Sequence, residues 1–286
     1  MAQVTICAAL ALSLALLSLL CATSAGLGGE GLARELPWRA WAGERILLVT
    51  AHPDDAEDAA GGLVALLSTL SPPPEVAYYI LTDGCHGWQR GGHPSDAYVA
   101  SVRAAEAHTA AKELNATVLG FGGYTDGALA DDVNHTEARR RIVSIVRAFQ
   151  PHVVLHWGTA PAYDLLPSAN WSDRGYHPDH QSSGKLALDG AGTLNGAGNG
   201  RVWPELGAPW RVRERYLFEF AAPLLCADLA GSSLKLKVEA YLLHKSQYAE
   251  GEAALLADNV RWVAADVARR CGLPGSAAAE GFVPFF

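Results

Sequence analysis

Short apolar runs and longer segments of helical periodicity alternate along most of the chain. The predicted strands cover residues 46–50, 76–81, 117–121 and 153–157. The predicted helices between them cover residues 59–70, 96–114 and 131–149, and Ser95 is the N-cap of the second. Strands that are apolar throughout are typical of a parallel sheet covered on both faces. The pattern therefore predicts an α/β protein with a mostly parallel sheet and helices on both faces.

The second half of the chain continues in the same way, without a clear boundary between domains. A segment rich in Gly and Asn at residues 189–200 indicates a surface loop. A predicted strand at residues 213–222 and an amphipathic helix at residues 252–270 follow it. We therefore expect a single domain over residues 45–286, preceded by a linker at residues 26–44.

Residues 1–25 contain no charged side chain and consist mainly of Ala and Leu. This apolar stretch ends in small residues, as a signal peptide does, and its length also suits an uncleaved signal anchor at a membrane. Three Asn-x-Ser/Thr sequons begin at Asn115, Asn134 and Asn170. We therefore expect the protein in the secretory pathway, either in the endoplasmic reticulum membrane or lumen or secreted.

Composition and charge narrow the functional classes. Half of the 286 residues are hydrophobic, which is enough for a sizeable core. The formal net charge of -8 argues against a nucleic-acid partner, which requires a basic surface. Outside residues 1–25 the cysteines are Cys85, Cys226 and Cys271, so at most one pair can form and one thiol stays free.

Residues 51–57 read Ala-His-Pro-Asp-Asp-Ala-Glu and follow the first predicted strand directly. They place His52, Asp54 and Asp55 at the carboxyl end of a strand, where parallel α/β sheets bind ligands. A second cluster, His-Pro-Asp-His at residues 177–180, follows the fourth predicted strand. One such cluster alone is an ordinary loop pattern. The two together indicate a metal site.

A catalytic zinc site takes three protein ligands and leaves one position for water. His52 and Asp55 share one turn and can face one point, and His180 supplies the third ligand from the second cluster. Asp54 then approaches the bound water as general base, and a cationic His177 faces a substrate oxygen. Two histidines and one aspartate also suit iron or another divalent metal, although zinc is favoured. This arrangement predicts a metal-dependent hydrolase.

The first motif, followed by Gly61-Gly62, resembles that of the N-acetylglucosaminyl-phosphatidylinositol de-N-acetylase family (PIG-L/LmbE-like). Supporting motifs are Leu-Thr-Asp-Gly at residues 81–84, Arg-Ala-Ala-Glu at 103–106, Tyr-Thr-Asp-Gly at 124–127, Pro-His-Val-Val at 151–154 and His-Lys-Ser-Gln at 244–247. The resemblance implies a Rossmann-like sheet and one zinc ion held by His52, Asp55 and His180. It also implies removal of the acetyl group from an N-acetylglucosaminyl glycoconjugate.

The same resemblance assigns roles to the other site residues. It makes Asp54 the general base and lets His177 polarise the acetyl carbonyl, with Asp179 as the partner that orients it. Arg103 and Asp126 are similar to positions that contact the sugar or its aglycone. All of these residues are present in the chain. A sugar-binding relative without turnover would lack a ligand or the base, and neither is missing.

Two departures from the family pattern stand close to the motifs. Tyr176 adjoins His177, whereas relatives place a tyrosine one residue further away. The loop at residues 85–88 reads Cys-His-Gly-Trp. Its Cys85 or His86 either lines the pocket or adds a metal ligand, and Trp88 either stacks on a sugar or packs.

The leader and sequons make N-acetylglucosaminyl-phosphatidylinositol, a precursor of the GPI anchor, the leading substrate candidate. The phosphatidylinositol enzyme of the family is expected to face the cytosol, whereas glycosylated sequons would place this domain in the lumen. A soluble N-acetylglucosaminide is therefore the main enzymatic alternative. A secreted, non-catalytic sugar-binding protein is the alternative from another class.

Overall fold

The computed structural model describes residues 33–285 apart from residues 132, 159–176, 221, 230 and 274–276. The described residues form eight strands, β1 Arg34–Glu35, β2 Arg45–Thr50, β3 Glu75–Thr82, β4 Ala116–Tyr124, β5 Val153–His156, β6 Glu214–Phe218, β7 Leu225–Asp228 and β8 Ala279–Phe285. They also form six α-helices, α1 Asp55–Leu67, α2 Asp96–Glu113, α3 His135–Phe149, α4 Pro178–Ala191, α5 Ser233–Tyr241 and α6 Ala253–Arg270.

All eight strands join one sheet in the order β1-β7-β8-β6-β5-β2-β3-β4. β8 runs antiparallel to its neighbours β6 and β7, and every other pair of neighbours is parallel. The chain order reverses between β2 and β5, because β3 and β4 lie on one side and β6 on the other. Ligand clefts of open parallel sheets form at such a reversal, outside the carboxyl ends of the strands. The predicted Rossmann-like fold is confirmed.

Alternate residues of β2 enter two hydrophobic cores on opposite faces of the sheet. Ile46 and Leu48 belong to the core under α1, α2, α5 and α6, and Leu47 and Val49 belong to the core under α3 and α4. All four side chains are fully buried. A strand buried on both faces must be apolar throughout, as this one is. The two cores fix the register of β2 and therefore the position of the turn that follows it.

Residues 33–44 are the described part of the predicted linker at residues 26–44, and side chains of this part pack into the hydrophobic core. Leu36 and Trp41 are each 1% exposed and belong to the core on the α1 side of the sheet. The indole Nε1 of Trp41 donates to Glu214 on β6 at 3.1 Å. The compact unit therefore begins at Ala33 rather than at residue 45.

A disulfide joins Cys226 on β7 to Cys271 after α6, and Cys85 is a buried free thiol. One disulfide is the most that three cysteines can form, and the third cysteine then stays a free thiol. The disulfide ties α6 to the edge of the sheet formed by β1, β7 and β8. This edge was not predicted from the sequence, and the strand expected at residues 213–222 is shorter, at Glu214–Phe218.

The described helices include none with both the length and the apolar character needed to cross a bilayer. The predicted leader at residues 1–25 and the sequon at Asn170 lie outside the described residues. The other two sequon residues, Asn115 and Asn134, are exposed. Both are therefore accessible to a modifying enzyme.

Candidate active site

The two predicted clusters meet at the carboxyl ends of β2 and β5, where the chain order reverses. His52 and Asp54 lie on the turn between β2 and α1, and Asp55 is the first residue of α1. His177 is the N-cap of α4, and His180 lies in its first turn. His52 and His180 are 128 residues apart in sequence, yet their ring nitrogens approach to 3.1 Å. Two distant stretches of chain therefore form one site.

Asp55 opens α1, and three N–H donors hold its carboxylate. Its Oδ2 accepts from the backbone N–H groups of Ala51 and His52 and from Nε1 of Trp157, each at 2.9 Å. This leaves Oδ1 to face the two imidazoles. Burial acts to raise the pKa of Asp55, but His180 and His52 outweigh it and hold this pKa well below its usual range. Asp55 is therefore ionised, as a metal ligand must be.

Three ligand atoms converge at the centre of the site. His52 Nδ1 lies 3.1 Å from His180 Nε2 and 3.6 Å from Asp55 Oδ1, and His180 Nε2 lies 3.1 Å from the same Oδ1. A tetrahedral zinc ion with bonds of about 2.0–2.1 Å separates its ligand atoms by about 3.3 Å. The donor set and its spacing therefore fit one zinc ion or a similar divalent metal.

The second ring nitrogen of His52, Nε2, faces two carboxylates. It lies 3.1 Å from Asp126 Oδ1 and 3.4 Å from Asp179 Oδ2, in ion-pair contacts whose angles are not those of good hydrogen bonds. Carboxylates at the outer nitrogen hold a metal-binding imidazole in orientation and make it a stronger ligand. Backbone N–H groups of Gly127 and Leu129 hold Asp179 in turn, at 2.7 and 3.0 Å.

His177 lies at the edge of the site, half-buried, with its ring centroid 4.6 Å from that of His52. Its Nδ1 accepts from the backbone N–H of Asp179 at 3.3 Å, so a neutral ring carries its proton on Nε2. Burial and the neighbouring His52 and His180 lower the pKa of His177. These surroundings therefore disfavour the expected cationic form of His177. Asp179 orients it through its backbone, while its carboxylate faces His52.

Asp54 and Arg103 form an ion pair in the wall of the site. Arg103 Nη2 lies 3.0 Å from Asp54 Oδ2, and Nη1 lies 3.7 Å from Asp126 Oδ2. Arg103 is buried, whereas the Asp54 side chain is 17% exposed. Asp54 therefore presents its carboxylate to a bound water or substrate. Arg103, predicted to contact the substrate, also holds both aspartates.

The predicted site residues surround one cavity of about 420 Å³, a volume typical of small-molecule sites. Asp179 is fully buried, and the other predicted residues line the cavity, namely His52, Asp54, Asp55, Arg103, Asp126, His177 and His180. His86 also lines it, as the sequence analysis considered. Asp58, Tyr241 and Gln247, which had no predicted role, line it as well, together with Gly87 and Gly127.

Trp157 follows β5 and contacts two of the predicted ligands at once. Its Nε1 donates to Asp55, and its ring stacks on His180 at a centroid distance of 4.1 Å and an angle of 6°. The indole and the ring of Phe218 form a T-shaped contact with a centroid distance of 5.3 Å. Its sequence signal is only that of the last residue of an apolar strand, so it is indistinguishable from an ordinary core residue.

A short 3₁₀ turn after α5 supports the opposite wall of the cavity. Ser246 donates through its backbone N–H and its hydroxyl to Glu106 on α2, at 2.8 and 2.6 Å. His244 Nε2 lies 3.2 Å from Glu57 on α1, and both side chains are buried. The turn therefore joins α1 and α2 behind the cavity and places Gln247 in its lining.

The departures from the family pattern have different outcomes. Tyr176 lies outside the described residues. Trp88 donates to the backbone carbonyl of Gly91 at 2.7 Å, and its ring packs against Tyr98 on α2 at a centroid distance of 5.9 Å. Burial raises the pKa of Cys85 to about 11, so its thiol is protonated at neutral pH unless a bound metal displaces the proton.

The fold and the site together define a Rossmann-like protein with a candidate His-Asp-His metal site and an accessible aspartate, paired with Arg103, beside it. The chain belongs to the GlcNAc-PI de-N-acetylase (PIG-L) family, whose model matches residues 47–190. This stretch contains every predicted site residue. The family resemblance drawn from the motifs is confirmed.

Two bacterial relatives are described as 1D-myo-inositol 2-acetamido-2-deoxy-alpha-D-glucopyranoside deacetylases. The one from Rhodococcus opacus (strain B4) is 28% identical over 210 residues, which cover 65% of this chain and 64% of the relative. The one from Streptomyces avermitilis is 30% identical over 204 residues, which cover 60% of each chain. The chain therefore spans a little under two thirds of the length of these relatives. They are hydrolases of the class that the motifs predicted.

Solved structures with the same fold include enzymes of different reactions. N,N'-diacetylchitobiose deacetylase from Pyrococcus horikoshii has a TM-score of 0.66 and 23% identity, covering 85% of this chain and 84% of its own. GalB, the 4-carboxy-2-hydroxymuconate hydratase from Pseudomonas putida KT2440, has a TM-score of 0.60 and 22% identity, covering 85% and 96%. The fold is therefore shared between a deacetylase and a hydratase, and the reaction must be argued from the site.

Proposed function

We propose that the protein is a metal-dependent de-N-acetylase that hydrolyses the acetamido group of an N-acetylglucosamine glycoside. The observation that carries this proposal is the convergence of His52, Asp55 and His180 to within 3.1–3.6 Å, beside the accessible carboxylate of Asp54. His52, Asp55 and His180 would hold a divalent metal there, and its chemistry would be to lower the pKa of a water from about 15.7 to about 7. Zinc fits this donor set best.

The side chains around the metal site divide the remaining work. Asp54 takes the proton of the attacking water and passes it to the departing amine, and Arg103 holds it in position. His177 donates from Nε2 to the acetyl oxygen, where negative charge develops. Asp126 supports His52 and, because it also lines the cavity, contacts the sugar together with Arg103.

The charge of the cavity supports an uncharged glycoside as substrate. Asp54, Asp58 and Asp126 line it, and the accompanying arginine, Arg103, is already paired with Asp54. A phosphodiester next to the sugar would meet these carboxylates at short range, which disfavours an anionic aglycone. The descriptions of the relatives name an inositol glycoside and diacetylchitobiose, which are both uncharged. N-acetylglucosaminyl-phosphatidylinositol is the second candidate, favoured by the description of the family.

Acetate release from three compounds tests the reaction and its substrate together. The compounds are N-acetylglucosaminyl-inositol, diacetylchitobiose and N-acetylglucosaminyl-phosphatidylinositol, each given to the zinc-loaded chain. We expect acetate from the two uncharged glycosides and less from the phosphatidylinositol conjugate. Acetate from the latter alone would refute the uncharged substrate. Sugar binding without acetate release from any compound would instead support a non-catalytic binding protein.

The location of the domain in the secretory pathway stays part of the proposal. The Cys226–Cys271 disulfide supports it, since stable disulfides are typical of oxidising compartments. The exposed Asn115 and Asn134 support it as well. Expression in eukaryotic cells should give a chain whose electrophoretic mobility changes on removal of N-glycans. An unchanged mobility would contradict this location.

Asn134 requires a control that spares its structural role. Its Oδ1 accepts from the backbone N–H groups of Thr136 and Glu137 and so caps α3. Thr136→Ala removes the sequon but keeps the capping asparagine. Together with Thr117→Ala and Ser172→Ala, it should abolish the mobility change.

A further inference from the structure

The loop between β3 and α2 carries a second set of metal-type ligands that the proposed reaction does not use. Cys85, His86 and Asp96 offer a sulfur, an imidazole nitrogen and a carboxylate oxygen, and these three atoms lie within 4.8 Å of one another. Cys85 is buried, whereas His86 and Asp96 are exposed. The cluster shares no residue with the ligand set of the candidate active site.

Backbone contacts hold both segments that carry these ligands. The backbone N–H of Cys85 donates to Asp83 at 3.0 Å, and that of His86 donates to Asp126 at 3.3 Å. α2 begins at Asp96, directly after an N-cap serine whose side chain accepts a backbone hydrogen bond. The three Cα positions are therefore fixed by local structure, and the remaining freedom lies in the side-chain rotamers.

We propose that Cys85, His86 and Asp96 form a second binding site for a divalent transition metal, with zinc as the best match. Sulfur and imidazole ligands select zinc and similar metals over magnesium and calcium. Bonds of about 2.3 Å to sulfur and about 2.0 Å to nitrogen and oxygen place tetrahedral ligand atoms about 3.5 Å apart. The ligand atoms of this cluster lie within 4.8 Å of one another. The exposed side chains of His86 and Asp96 can reach the shorter spacing by rotating toward the buried sulfur.

A metal bound at this second site would affect the catalytic cavity. This expectation rests on the proposed function. His86 lines that cavity, and its Nδ1 lies 3.7 Å from the point where a Cβ on Gly127 would stand. A metal that holds His86 fixes this part of the cavity wall and ties the loop to α2. We therefore expect occupancy to change KM for the glycoside more than kcat.

Cobalt(II) titration of the metal-free 286-residue chain tests the second site directly. Cobalt bound to a thiolate gives a near-ultraviolet charge-transfer band, which a site of two histidines and one aspartate cannot give. The band should develop in the wild type and persist in His180→Ala. In Cys85→Ser the band should disappear, and the chain should bind one cobalt ion fewer. Asp96→Asn should weaken the affinity that produces the band at least about tenfold. Asp131→Asn changes an exposed aspartate elsewhere in the chain and should leave this affinity unchanged.

A wild-type chain without the band, or a Cys85→Ser chain that keeps both the band and the cobalt stoichiometry, would overturn the second site. The band in that variant would then come from Cys7 or Cys21. A chain that shows the Cys85-dependent band but releases no acetate would keep the second site and refute the proposed function, so the two failures are distinguishable.

Discussion

Trp157 donates its indole N–H to Oδ2 of Asp55 at 2.9 Å while its ring stacks on His180. One buried side chain therefore orients two of the three proposed metal ligands. Trp157 does not line the cavity, so it is a positioning residue rather than a catalytic one. Groups that hold metal ligands in this way typically contribute about 10- to 100-fold in metal affinity.

Trp157→Phe removes the N–H donor and keeps an aromatic ring beside His180. We expect zinc affinity to fall by about 10- to 100-fold, because Asp55 loses one of the three donors that fix its rotamer. Competition with a chromophoric chelator measures the affinity without reference to activity. Trp262→Phe, at a residue that is 52% exposed, is the matched control and should leave affinity unchanged. Equal affinities for wild type and Trp157→Phe would show that the hydrogen bond does not matter.

Asp54→Asn should separate catalysis from metal binding. The amide cannot accept the proton of the attacking water, so acetate release should fall by at least about 100-fold. Zinc should stay bound, because Asp54 is outside the ligand set. Asp58→Asn changes another carboxylate in the cavity and should keep most of the activity. Full activity of Asp54→Asn would rule out its role as the base.

Gly184 on α4 lies against the residues that follow β5. A Cβ there would stand 2.3 Å from the carbonyl oxygen of Trp157 and 2.7 Å from that of Gly158. Backbone atoms cannot rotate away, so Gly184→Ala must displace α4, which carries His180. We expect urea unfolding to show a loss of about 1–3 kcal/mol, together with weaker zinc binding. Gly120→Ala, where a Cβ meets nothing within 4 Å, is the control. If Gly184→Ala and Gly120→Ala lowered the unfolding free energy and the zinc affinity equally, the displacement of α4 would be contradicted.

The buried pair of His244 and Glu57 predicts a pH-dependent contribution to stability. Burial favours the neutral imidazole, but the hydrogen bond and charge of Glu57 outweigh it and raise the pKa of His244. A raised folded-state pKa gives stability that is fully present below the unfolded value of about 6.5 and is lost as pH rises through the folded value.

His244→Gln removes the titrating group at this position. The difference in unfolding free energy between wild type and His244→Gln should therefore be largest below about pH 6.5 and shrink as the pH rises. Urea unfolding over a pH series measures it. His108→Gln, which changes an exposed histidine on α2, should give a difference that varies less with pH. A His244→Gln difference that grows as the pH rises would show that the imidazole is buried in its neutral form.

The reactive residues could be predicted because their position follows from simple rules. Apolar runs define the ends of β2 and β5, and the histidine motifs stand directly at those ends. The contacts of Trp157 and His244 could not be found in this way, although the family resemblance includes the motif at residues 244–247. Their partners Asp55 and Glu57 lie 102 and 187 residues away in sequence, so no spacing pattern connects them. Such contacts exist only once the sheet has assembled.

The unpredicted edge of the sheet has a different cause. β1 has two residues and β7 has four, which is too short for a clear periodic signal. β8 contains Gly281 and Pro284, residue types that weaken a strand pattern. Residues 33–44 resembled a linker because their burial depends on three separated side chains, Leu36, Trp38 and Trp41, without a periodic pattern.

The most direct test of the account is acetate release by the metal-free chain before and after zinc is returned, in the wild type and in His180→Ala. We predict no release without metal, recovery on addition of zinc in the wild type, and no recovery in His180→Ala because one ligand is gone. Release at the full rate by the metal-free chain, or by zinc-treated His180→Ala, would contradict the central role of this site.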